Sequence, residues 1–158
     1  MALPPKPPTA NFHIDTQLLA RVNEARFKLA VDREAEDSAE SQYKGSKRFA
    51  VYGSLGPGCP NHSKISHLQG RWYHNSYVTG ELLQQGWGAD IGYPGLQWSL
   101  DGPSHPVQVL ESPLLNDKEW CLLDRFEGAG YVRILAPIVT AEESIVANIY
   151  VVARASGA

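Results

Sequence analysis

Apolar and polar positions along the chain change rhythm near residue 48. Before that point Leu18, Val22, Ala25 and Leu29 recur at offsets of 0, 4, 7 and 11, which is one apolar stripe on a helix. Glu24, Lys28 and Asp32 occupy the opposite, solvated face. Asp15 has the side chain of an N-cap, so the pattern predicts a helix from about Asp15 to Glu40. Beyond Val31 the segment DREAEDSAESQ turns polar, and its expected behaviour is fraying or disorder. The stripe is read as packing on the chain's own domain; the alternative is a homodimer or partner helix. Residues 1–12, MALPPKPPTANF, predict a polyproline-like tail.

After Lys47 the period shortens. RFAVY (48–52) reads as a short buried strand, and GSLGPGCPNH (53–62) as a loop. Residues 63–67 suit a helical turn. Residues 70–84, rich in Trp, Tyr and Val, predict one bent strand or two paired ones. GWGADIGYPGL (86–96) is a second Gly-rich loop. Residues 96–100 and 107–111 are strand candidates on either side of the Gly-Pro turn at 102–103. Asn116, with Glu119 three residues on, has capping-box spacing. Trp120, Leu123 and Phe126 share the inner face of the helix that follows, and Gly128 stops it. Two strands, 131–139 and 144–153, flank a turn at 140–143. Strands and helices do not alternate regularly. The fold class that fits is α+β, a mixed domain with a curled sheet or small barrel, preceded by an N-terminal helix.

Composition sharpens the same boundary. The chain has 158 residues, room for one domain. Residues 1–48 carry a net charge of +1 and one glycine; the remainder carries −4 and 13 glycines. The organisation is a tail and helix over 1–47, a Gly-rich domain over 48–153 and a short tail over 154–158. A net charge of −3 gives no attraction for phosphate backbones, so no nucleic-acid partner is expected. No apolar run approaches the roughly 20 residues of a membrane helix, and the proline-rich start does not suit a signal peptide. Cys59 and Cys121 are expected as reduced thiols in a cytoplasmic protein.

Few residues suggest chemistry on their own. His62, His67 and His74 lack metal-ligand spacing. Ser54 follows a strand, but Tyr52 stands where a nucleophile elbow needs Gly, and Pro57 and Pro60 break any following helix. The backbone N–H groups around Gly53–Ser54 suit an anion or oxyanion better. Glu127 sits at a helix C-terminus, where the dipole disfavours a carboxylate, and partial burial would raise its pKa further. It is either a general acid/base or an ordinary surface glutamate. Asp124 suits a structural pairing with Arg125 or Arg133.

Together, FAVYGSLGPG (49–58) and LDRFEGAGYVR (123–133) resemble the gamma-glutamylcyclotransferase-like family, which includes plant avirulence-induced-gene-like proteins and gamma-glutamylamine cyclotransferases. The middle segment GELLQQGWGADIGYPGL is similar too. The resemblance spans residues 48–153 and implies an α+β fold, a small mixed β-barrel with flanking helices, plus the N-terminal helix outside it. It implies an enzyme that splits a gamma-glutamyl compound into 5-oxoproline and an amine or amino acid, with no metal or organic cofactor. By the same resemblance Glu127 is the catalytic acid/base. Tyr52, Gly53, Ser54 and Leu55 form the pocket for the substrate's carboxylate and carbonyl, and Tyr131 lines it. The alternative is a non-catalytic small-ligand or protein-interaction module on the same fold.

Overall fold

A computed structural model describes residues 14–53, 55–83 and 95–153. The expected tails and most of the 86–96 loop lie outside these residues. The single N-terminal helix predicted from the stripe is instead a hairpin of two, α1 (Thr16–Phe27) and α2 (Arg33–Tyr43). Asp15 caps α1 as expected, accepting from the Leu18 amide. The helix ends because Leu29 adopts a left-handed conformation (φ 57°) and the Ala30 amide turns back to the Ala25 carbonyl, 2.9 Å. Asp32 then caps α2 by accepting from the Ala35 amide. The polar segment expected to fray is therefore helical. Its inner face is only Ala35 and Ala39, both buried, and their small size brings α2 close to its neighbours. Leu29 leaves the predicted stripe altogether and is 90% exposed, whereas Leu18, Leu19 and Val22 are buried.

Among the described residues six strands follow the hairpin: β1 (Arg48–Val51), β2 (Arg71–Leu83), β3 (Gly95–Trp98), β4 (Ser104–Glu111), β5 (Tyr131–Val139) and β6 (Ser144–Val152). Their order is β3-β2-β4-β1-β6-β5. A β2–β5 pairing at Tyr77 and Val139 closes β2, β4, β1, β6 and β5 into a five-strand barrel, leaving β3 as a flap on β2. The 70–84 segment is one bent strand, with a register shift between Tyr73 and Ser76 where Asn75 takes φ 55°. Helix α3 (Asp117–Glu127) has the predicted Asn116 cap, and Gly128 ends it at φ 79°.

Alternation along the strands divides the core. Ala50, Val109, Ile134 and Ile149 fill the barrel. Phe49, Val51, Leu110 and Tyr150 face outward under Trp120 and Leu123 of α3. Leu135 and Val146 face outward under the α1–α2 hairpin. With both of its faces covered, β6 reads as an almost unbroken apolar run interrupted by one buried polar residue, Asn148.

The β5–β2 contact is short, so much of β5's outer edge has no strand partner among the described residues. Helix α1 supplies partners instead. The Asn23 amide donates to the Leu135 carbonyl (2.8 Å) and its oxygen accepts from the Leu135 amide (2.9 Å), imitating one rung of a ladder. Arg26 donates to the Arg133 carbonyl at 3.2 Å. Pro137 falls on the same alternate set of positions as Arg133 and Leu135, so its missing N–H removes no bond to β6.

Candidate active site

Strand register gathers the predicted residues at one end of the barrel. β1 runs parallel to β6 with Ala50 opposite Ile149, so Tyr52 emerges beside the end of β6. β5 begins at that same end, with Tyr131 opposite Val152. Only Gly128, Ala129 and Gly130 separate Tyr131 from Glu127, so the C-terminus of α3 reaches that end as well.

Tyr52 is deeply placed. Its hydroxyl donates to the Tyr150 carbonyl (2.7 Å) and accepts from the Leu96 amide (2.9 Å). One side chain thus bridges β3 to β6 where no backbone rung joins them. Burial pushes the Tyr52 phenol well above its ordinary value, and the nearby Glu127 and Tyr131 push it further. It stays protonated, and both of its hydrogen bonds are spent inside the protein.

Gly53 opens a tight turn, its carbonyl accepting from the Gly56 amide at 3.1 Å. Ser54 lies outside the described residues. The Leu55 side chain is buried under α3, while its carbonyl accepts from the His62 ring at 2.9 Å. Leu55 is thus anchored by its side chain and presents backbone, not side chain, to the turn. Tyr131 is half-buried against the same cluster, as is Phe126. Tyr52, Tyr131 and Glu127 come together, and Gly53 and Leu55 flank them.

Glu127 is a strongly perturbed carboxyl group. Burial, with the like charge of Asp124 one turn earlier, raises its pKa from 4.5 to about 7. A carboxyl poised there can take a proton and return it near neutral pH. Asp124 pairs with Arg133, the second of the two expected partners: Nε donates to Oδ1 at 2.9 Å and Nη2 to Oδ2 at 3.3 Å.

Two residues here belong to no motif in the sequence. The Tyr150 hydroxyl donates to Asp124 Oδ1 at 2.6 Å. Asn148 Oδ1 accepts from Arg133 (3.2 Å) and Arg26 (2.9 Å), and its amide donates to the Gly45 carbonyl (2.8 Å). Both lie in an apolar strand, two residues apart and so on one face. That spacing of hydrogen-bonding groups is the only hint the sequence offered. Among the described residues no cluster of three His, Cys, Asp or Glu side chains could hold a metal ion, and no helix is long and apolar enough to cross a membrane.

Comparison with known proteins bears on the family and the fold. Residues 49–158 match the family model described as gamma-glutamyl cyclotransferase, AIG2-like. Among solved structures, the fold is similar to an AIG2-like protein of Mus musculus, with TM-score 0.53 and 22% identity over 70% of this chain and 80% of that one. It is similar to YkqA of Bacillus subtilis at TM-score 0.53 and 19% identity, covering 67% of this chain but only 35% of the Bacillus protein's length. A protein of Arabidopsis thaliana aligns at TM-score 0.50 and 22% identity, over 67% of this chain and 61% of that one. No curated protein matches the chain.

Proposed function

The chain belongs to the AIG2-like gamma-glutamyl cyclotransferase family, and on that premise we propose that it is a cofactor-free cyclotransferase acting on a gamma-glutamyl amine or gamma-glutamyl amino acid. The observation that carries this reading is Glu127, a largely buried carboxyl with its pKa near 7, beside Tyr52 and Tyr131 at the barrel end.

The reaction is a ring closure. The substrate's α-ammonium gives a proton to the Glu127 carboxylate. The freed nitrogen attacks the gamma-carbonyl carbon, and a carbon–nitrogen bond of the lactam forms. The tetrahedral oxyanion is held by backbone N–H groups of the turn that follows Tyr52. It collapses by breaking the bond to the leaving nitrogen, which takes the proton back from Glu127; the surplus proton on the ring nitrogen then passes by way of Glu127 to the departing amine, which leaves as its ammonium ion. The products are 5-oxoproline and the free amine, and Glu127 ends as it began. Attack is intramolecular, so holding the substrate folded supplies much of the rate. The role of Tyr52 is scaffolding, since its hydroxyl is already committed twice.

The test is release of 5-oxoproline from a panel of gamma-glutamyl amines and amino acids. Wild-type kcat/KM should rise with pH through about 7 as Glu127 loses its proton. Glu127→Gln should lower kcat by about 100-fold or more. Equal turnover by wild type and variant, or no turnover of any compound by wild type, would remove the proposal.

A further inference from the structure

The last turn of α3 is held by more than its cap. Asp124 receives three hydrogen bonds, two from Arg133 on β5 and one from Tyr150 on β6. Arg133 is itself fixed. Its guanidinium lies over the Trp120 ring, 4.6 Å from the centroid, and donates to Asn148, which is 1% exposed. Asn148 in turn is held by Arg26 of α1, and Arg26 is paired with Glu36 of α2 at 2.8 Å. A chain of hydrogen bonds therefore runs from the N-terminal hairpin, through two strands, to a carboxylate one helical turn from Glu127.

We propose that Asp124, clamped by Arg133 and Tyr150, is a positioning residue that fixes the terminal turn of α3 and sets the charge state of Glu127. The inference rests on Glu127 being the working carboxyl group. The Asp124 side chain is 46% exposed, yet three donors fix where its carboxylate lies. Held there, its negative charge disfavours a second negative charge one turn away.

Three titratable groups interact with Glu127: Asp124 on α3, Tyr52 after β1 and Tyr150 on β6. Around these lie Tyr131 on β5, which acts on Tyr52, Arg133 on β5, which pairs with Asp124, and Lys64 of the 62–64 turn, 5.5 Å from the Phe126 ring. Only Asp124 is a carboxylate. Its removal and the removal of Arg133 therefore act in opposite directions: the first lifts a like charge from Glu127, the second leaves that charge uncompensated.

The experiment is a carbon-detected NMR titration of the Glu127 side chain, which needs no substrate. Asp124→Asn should move the titration midpoint down by about half a unit or more, and Arg133→Gln should move it up. The acid limb of the kcat/KM profile should follow each shift. A midpoint unmoved by Asp124→Asn, or moved the same way by both variants, would reduce Asp124 to an ordinary structural residue and overturn the proposal. Absence of 5-oxoproline release by wild type would instead strike the proposed activity, and the titration would still decide the place of Asp124.

Discussion

Replacing Glu127 with Gln should strengthen the fold above neutral pH and leave it almost unchanged in acid. In the folded state the carboxyl holds its proton up to about pH 7, whereas in the unfolded chain it ionises near 4.5. Between those values the folded state binds more protons, so stability falls as pH rises through the window. Above it the wild type carries a carboxylate in a site that resists it. A gap of this size corresponds to about 3 kcal/mol, and partial solvent contact trims the expectation to about 2–3 kcal/mol. Glutamine has nearly the same shape and no such dependence. The assay is thermal or urea unfolding of both proteins at pH 4 and pH 8. The variant's advantage should appear only at pH 8, as a midpoint higher by roughly 4–12 °C. An equal difference at both pH values, or a less stable variant at pH 8, would mean that Glu127 is ordinarily solvated and that its proposed chemistry lacks a physical basis.

Two further substitutions probe how the site is held. Tyr52→Phe leaves the Leu96 amide and the Tyr150 carbonyl without their bridge, and should cost about 2–4 kcal/mol in urea unfolding. A loss below half a kcal/mol would show that β3 and β6 do not depend on it. Asn23→Ala removes the two bonds to the Leu135 backbone and should cost a similar 2–4 kcal/mol, with faster hydrogen exchange at the Leu135 amide. Unchanged exchange there would separate α1 from the barrel edge.

How much of this was visible in the sequence depended on whether the determinant was local. Helix α3 was legible because Asn116, Glu119 and Gly128 mark both ends and Trp120 and Leu123 mark the face. β5 and β6 were legible as long apolar runs. The break between α1 and α2 was not, because Leu29 takes a left-handed conformation that glycine would have announced. Helix α2 was also hidden, since its buried face is two alanines in an acidic stretch. At the site, Glu127 and the Tyr52 turn stood out through their motifs and their settings. Of the clamp only the Asp124–Arg133 pairing was legible, because Asn148, Tyr150 and Arg26 join it through contacts between distant parts of the chain. The apolar stripe of α1 was visible; that Asn23, lying beside it, would serve as a strand partner was not.

The ladder-like bonds from α1 to β5 bear on how that strand edge is closed to further pairing. A strand edge with unpaired N–H and C=O groups is a template on which another chain can add a strand. On β5 that template is occupied by Asn23 and Arg26, from a hairpin that precedes the family-matched residues 49–158. Cutting the chain at the family boundary would therefore do more than remove two helices. It would bare the Leu135 amide and carbonyl on an edge flanked by apolar Leu135 and Val146, a surface suited to aggregation. In this protein the hairpin covers the β5 edge, and a chain truncated to 49–158 should aggregate more than the full chain by light scattering.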